Sequence, residues 1–177
     1  MNWKVTAEGT VAGRAQEGPP VGETAARTER RGRECREMDG GVFVINARAH
    51  YDAAHYLRHH TGKCRRLHGH RYVVEVALQA TTLNEAGLAY DFADLKGHLR
   101  GLAERLDHRN LNEIPPFTEI ESSAENQARW FFQELRALLP EELREGLLFA
   151  RVWESPDQWA QYGPSPAVLS PPGPLHP

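Results

Sequence analysis

His68 and His70 stand two residues apart, and Cys64 lies four residues before the first of them. In a strand, residues i and i+2 point to the same face, so both imidazoles can reach one ion. A third imidazole has to come from elsewhere, and His55, at the end of an earlier strand-like run, can supply it. Three neutral imidazoles suit zinc and leave a fourth position open for water or substrate, which is the catalytic arrangement. On spacing alone the pair fits a turn or surface site equally well, because His-x-His is a weak signal. His50 lies in the same run as His55, is expected on the same face, and competes for the third place. His59 and His60 fall in a loop-like "RHHTGK" and His98 in a helical stretch, where solvated roles are expected. Cys64 is a fourth ligand, a reactive thiol beside a metal, or an idle residue, and spacing leaves all three open.

Two further places could carry chemistry. In "LDHRNLN" Asp107 precedes His108 directly. A carboxylate next to an imidazole sets its tautomer and raises its basicity, which serves proton transfer. The same histidine could simply complement a helix C-terminus. Glu154 ends the otherwise apolar "LLFARVWES". It can pair with the donor groups of a substrate, or merely mark where a strand meets water.

These residues need elements to position them. "VFVINARAHYDAAHY" (42–56) alternates in part and predicts a strand, as does the β-branched "HRYVVEVALQA" (70–80). Residues 91–106 place Phe92, Leu95, Leu99, Leu102 and Leu106 at helical spacing, with Asp91 as N-cap. A second helix over 122–139 starts with Ser122-x-x-Glu125, a capping-box pattern. Strands are predicted at 147–155 and 157–162. The order ββααββ predicts an α+β fold: a four-stranded antiparallel sheet with two helices on one face.

Residues 1–40 lack periodicity and predict a disordered extension, in which Cys35 is idle and Met38 could mark the true start. Residues 163–177 read as a proline-rich tail, which leaves 41–162 as the working domain. A net charge of −3 and a pI near 6.3 argue against nucleic acid and anionic membranes as partners. No apolar run is long enough for a membrane span and no secretory h-region is present, so a cytoplasmic protein is expected. Two cysteines make no disulfide framework.

Six segments, "DAAHYL", "KCRRLHGHRY", "GLAYDFADLK", "ERLDHRNLNEIP", "SSAENQARW" and "VWES", occur in an order that resembles the 6-pyruvoyl-tetrahydropterin synthase family. The Cys-x3-His-Gly-His spacing is most like its bacterial branch, the QueD-type 6-carboxy-5,6,7,8-tetrahydropterin synthases of queuosine biosynthesis. The resemblance implies the tunnelling fold, and homo-oligomers, commonly hexamers, with active sites at subunit interfaces. It implies zinc on His55, His68 and His70, a catalytic Cys64, proton-transfer partners Asp107 and His108, and Glu154 as the anchor of a pterin. It further implies the substrate 7,8-dihydroneopterin triphosphate, converted to 6-carboxytetrahydropterin with release of acetaldehyde and triphosphate. Lys63, Arg65, Arg66 and Arg71 are the basic cluster available to the phosphates. Two other readings remain: the pyruvoyl-forming reaction of the same family, and a non-catalytic zinc-stabilised binding protein with Cys64 as fourth ligand. The chain departs from the family's usual Pro-Thr-x-Glu-Asn with Ser122-Ser123-Ala124-Glu125-Asn126, and "SPDQWAQY" after Glu154 is distinctive.

Overall fold

A long hairpin organises the fold. β1 (Phe43–His55) and β2 (His68–Ala80) run antiparallel in unbroken register from Phe43↔Ala80 to His55↔His68. β1 buries every second residue from Ala47 to His55, and β2 buries Tyr72, Val74, Val76 and Leu78 against the same core. That period of two keeps one face of the pair apolar. The molecule is a computed structural model in which residues 40–164 are described, all within one unit that begins at Glu37. Apart from Gly40, Gly163 and Pro164, the expected extension and tail lie outside the described residues.

Both helices cover that apolar face. Asp91 caps α1 (Phe92–Glu104) by accepting from the Ala93 N–H at 2.7 Å, as its position predicted. Leu95, Leu99 and Leu102 of α1 join the core, as do Ala128, Phe131 and Leu135 of α2 (Ala124–Leu138). Each fully buried leucine contributes ~2 kcal/mol by removal of apolar surface from water. Strands β4 (Leu147–Ser155) and β5 (Gln158–Tyr162) complete the antiparallel part. Among the described residues no helix is long and apolar enough to cross a membrane.

Three details differ from expectation. Among the described residues the sheet has five strands: β3 (Arg109–Asn110) lies beside β1, in the order β3-β1-β2-β4-β5. The additional β3 pairs parallel with Ala53 and Ala54, and two residues are too few to show a strand's alternation. β2 begins at His68 rather than at 70, because Gly69 pairs with Ala54 inside the ladder instead of breaking it. Finally, Ser123 caps α2, accepting from the Asn126 N–H at 3.5 Å. The Ser122–Glu125 capping box does not form, since Ser122 lies before the N-cap and faces His55 instead.

Candidate active site

His55 is the last residue of β1 and His68, directly opposite, the first of β2; His70 follows on the same face. One ligand nitrogen from each lies within 4.8 Å of the other two. The His55 ring sits 4.6 Å from His68 and 5.3 Å from His70, centroid to centroid. Tyr72, one step further along β2, meets His55 and His70 edge-on at 5.8 and 5.4 Å and floors the cluster. His50 does not join. Five residues from His55 on one strand is an odd spacing, so the two point to opposite faces: His55 is buried and His50 exposed. Expecting them on one face was an error that strand periodicity alone corrects. His59 and His60 are exposed, and the His60 Nδ1 accepts the Gly62 N–H within its own turn. His98 faces the Tyr90 hydroxyl at 3.2 Å.

Main-chain carbonyls fix two of the rings. The His55 Nδ1 lies 2.9 Å from the Ser122 carbonyl and the His68 Nδ1 lies 2.8 Å from the Arg66 carbonyl. A nitrogen facing a carbonyl has to carry the proton, so both rings present an unprotonated Nε2. The His55 Nε2 is buried and has no hydrogen-bond partner. A buried, unpaired acceptor is costly unless something is bound to it. Burial, aided by the charges of His68 and His70 and opposed by the Ser122 bond, pushes the His55 pKa from 6.5 down to about 4. His55 is therefore neutral near pH 7, as a ligand must be. Carbonyl-oriented imidazoles with free Nε2 lone pairs fit a zinc ion.

The connection between the helices holds this end of β1. Asn112 acts as a short artificial strand: its Oδ1 accepts the Tyr56 N–H at 2.9 Å and its Nδ2 donates to the Tyr56 carbonyl at 2.9 Å. Gln127 donates to the Ser122 carbonyl at 2.8 Å and accepts from the Tyr51 hydroxyl at 2.5 Å. Arg58 donates to the carbonyls of Phe117 and Ile120 at 2.7 and 3.0 Å. The roles of Asn112, Ser122 and Gln127 here were not read from the sequence, where Ser122 was expected only to cap a helix. Gln127 carried a signal, being the polar residue on the buried stripe that Ala124, Ala128 and Phe131 define.

Cys64 sits half-buried, its thiol free, on a 3-10 turn (Lys63–Arg65). Among the described residues it is not part of the cluster whose ligand atoms lie within 4.8 Å of one another. As a thiolate it would add to the burial that raises the Tyr72 pKa, Tyr72 being the ring beneath the histidines. Glu154 reaches the cluster directly, its Oε1 3.9 Å from the His55 Nε2. Burial raises the Glu154 pKa; His70 and His68 pull it down, and Glu125 pushes it up further. Glu125 thus faces the site electrostatically, where the sequence suggested only a helix cap.

Asp107 and His108 form a pair of their own, the His108 Nδ1 2.7 Å from the Asp107 Oδ2. The Asp107 pKa is lowered, first by the bond from the Asp52 main chain and then by His108; the His108 pKa is raised by Asp107. His108 adopts φ = 55°, a left-handed conformation unusual for a residue with a Cβ. The pair hangs on Asp52, which is three residues from His55 and so points to the opposite face of β1. The structure thus unites His55, His68, His70 and Glu154, sets Cys64 nearby, and keeps Asp107 and His108 out of the cluster.

A family model described as 6-pyruvoyl tetrahydropterin synthase matches residues 44–165. The chain is 40% identical over 100 residues to 6-carboxy-5,6,7,8-tetrahydropterin synthase of Synechocystis sp., covering 53% of this chain and 75% of that protein. It is 28% identical over 134 residues to the Bacillus subtilis protein of the same name, covering 72% and 90%. It is also 34% identical over 107 residues to dihydroneopterin monophosphate aldolase of Pyrococcus furiosus, covering 60% and 85%. Among solved structures, 6-pyruvoyl tetrahydropterin synthase of Caenorhabditis elegans matches with a TM-score of 0.63 and 27% identity. That match covers 71% of this chain and 97% of the other.

Proposed function

Because the chain belongs to the 6-pyruvoyl tetrahydropterin synthase family, we propose that it is a zinc-dependent 6-carboxy-5,6,7,8-tetrahydropterin synthase. It converts 7,8-dihydroneopterin triphosphate and one water to 6-carboxytetrahydropterin, acetaldehyde and triphosphate, in cytoplasmic queuosine biosynthesis; the water supplies the second carboxyl oxygen. The observation that carries the reading is the unpartnered, buried Nε2 of His55 among three imidazoles, with the Glu154 carboxylate 3.9 Å away. The carboxy product is favoured over the pyruvoyl one by the names of the bacterial relatives.

His55, His68 and His70 would hold the metal, which would supply Lewis acidity to the substrate's side chain. Glu154 accepts hydrogen bonds from the pterin N–H and amino groups and so orients the ring beside the cluster. The Cys64 thiolate takes a carbon-bound proton from the side chain. Asp107 orients His108, and His108 handles the second proton. Since His108 lies away from the cluster of its own chain, the pair works at the cluster of a neighbouring copy, in a homo-oligomer that the resemblance makes a hexamer.

Incubating the zinc-loaded protein with 7,8-dihydroneopterin triphosphate and identifying the products by mass tests the reading. Acetaldehyde and the 6-carboxy pterin are expected. A product that keeps the side-chain carbons moves the assignment to the pyruvoyl reaction, and the absence of turnover overturns it.

A further inference from the structure

Asp52 takes no part in the chemistry assigned so far, yet it touches the Asp107–His108 pair three times. Its main-chain N–H donates to the Asp107 Oδ1 at 2.8 Å. Its carbonyl accepts the His108 N–H at 2.6 Å. These two bonds clamp the pair to the edge of β1 and hold His108 in its left-handed conformation. The third contact is through the side chain: a carboxylate oxygen of Asp52, one of Asp107 and a ring nitrogen of His108 all lie within 4.8 Å of one another. Among the described residues the Asp52 carboxylate has no hydrogen-bond or ion-pair partner of its own.

We propose that Asp52 is a positioning residue for His108, its carboxylate being a second anionic partner that favours the imidazolium. His108 then rests with a proton to give. The inference rests on the role proposed above for the Asp107–His108 pair. Besides the titratable His70, the charges that line the open cleft of about 580 Å³ with His108 are those of Arg71, opposite Asp52 in β2, and Arg109, its chain neighbour. Both guanidiniums oppose the imidazolium, so the two carboxylates act against two guanidiniums, and each carboxylate matters. The direction of the His108 titration agrees: Asp107 raises it most and Asp52 adds to it.

The test is a histidine NMR titration of the full, zinc-loaded chain, with the His108 signal assigned by its absence in His108→Gln. Asp52→Asn removes the charge but keeps both main-chain bonds. Near the wild-type midpoint and at low salt, the ratio of protonated to neutral His108 is expected to fall about threefold in Asp52→Asn. It should recover in Asp52→Glu and fall further in Asp107→Asn. The effect should shrink as salt is added. Asp52→Ser gives the same reading if the asparagine variant folds poorly. In turnover, the limb of the pH profile that reports His108 should shift the same way. An unchanged midpoint in Asp52→Asn and Asp52→Ser, beside a lowered one in Asp107→Asn, overturns the proposal. Because the titration needs no substrate, it stands apart from the product assay: loss of turnover in wild type would sink the synthase reading and leave the Asp52 result legible.

Discussion

The three-histidine cluster and the Asp107–His108 pair are both built around imidazoles, and their surroundings are opposites. His55 is buried, and burial drives its pKa down to about 4. His108 has a side chain 78% exposed and its pKa is raised by a carboxylate. The cluster is held within one chain by carbonyls of Ser122 and Arg66. The pair is fixed to a sheet edge and opens outward. A metal site needs neutral, preorganised donors before anything binds. A proton-transfer group needs mobility of its proton and access to a substrate. One chain therefore carries a buried, preorganised histidine cluster and an exposed, outward-facing Asp–His pair, and the contrast can be broken at either end.

The largest effect is expected at the histidine cluster. His68→Ala removes one of three donors, so the chain should lose its zinc and, with it, all measurable turnover; metal analysis beside the product assay checks this. Retained zinc in His68→Ala would show that the ligand set is wrong. Cys64→Ala, by contrast, should keep zinc and assembly while turnover drops ~10²- to 10⁴-fold, the range of a lost general base. Loss of zinc there would make Cys64 a ligand after all. A metal–sulfur distance of about 2.3 Å would say the same. His108→Gln should resemble Cys64→Ala. Mixed assemblies of His108→Gln and His68→Ala should recover part of the activity, because intact pairs then meet intact clusters. Verified mixed assemblies without recovery would place both halves of the site in one chain.

The next effect is thermodynamic and separates the two histidines by sign. His55 titrates near 6.5 when unfolded and near 4 when folded. Between those values the unfolded chain binds more protons, so folding stability of the zinc-free protein is lost as pH falls from 6.5 toward 4. The full loss is on the order of 3 kcal/mol. Urea midpoints of the zinc-free protein at several pH values should show it, and His55→Gln should flatten the slope. His108, raised instead of lowered, stabilises the fold at low pH, and that contribution fades as pH rises through its folded value. A flat profile above pH 4 in the zinc-free wild type would mean that His55 is solvated.

Most of the fold was legible because period and punctuation agree. Asp91 and the leucines of α1 each said helix, and both did what they said. The site was legible in part. His68 and His70 share a face by parity, but parity could not say which strand lies beside them, and the choice of His55 rested on resemblance. What parity could have done was reject His50. β3 was illegible because two residues have no period. Asn112 and Ser122 were illegible for a different reason: their work is to meet the main chain of Tyr56 and the ring of His55, partners that are remote in sequence. A buried polar residue announces that it has a partner, not which one.

Ser122 gives the smallest and most discriminating effect. Its carbonyl receives the proton of His55 at 2.9 Å, whereas its hydroxyl is 3.4 Å from the same nitrogen. The hydroxyl also faces the Tyr56 carbonyl and the Asn112 Oδ1, each at 3.3 Å. If the main chain sets the His55 tautomer, Ser122→Ala removes three long contacts and leaves the short one. Stability should fall by ~1 kcal/mol, the usual value of one hydrogen-bonding group in a protein interior. Zinc affinity should change by far less than the ~10- to 100-fold typical when a ligand's orienting partner is removed. Competition with a chelator of known affinity measures the difference. A loss in that larger range would transfer the orienting role to the side chain. The buried cluster would then depend on a mobile hydroxyl and would differ less from the exposed pair than its geometry suggests.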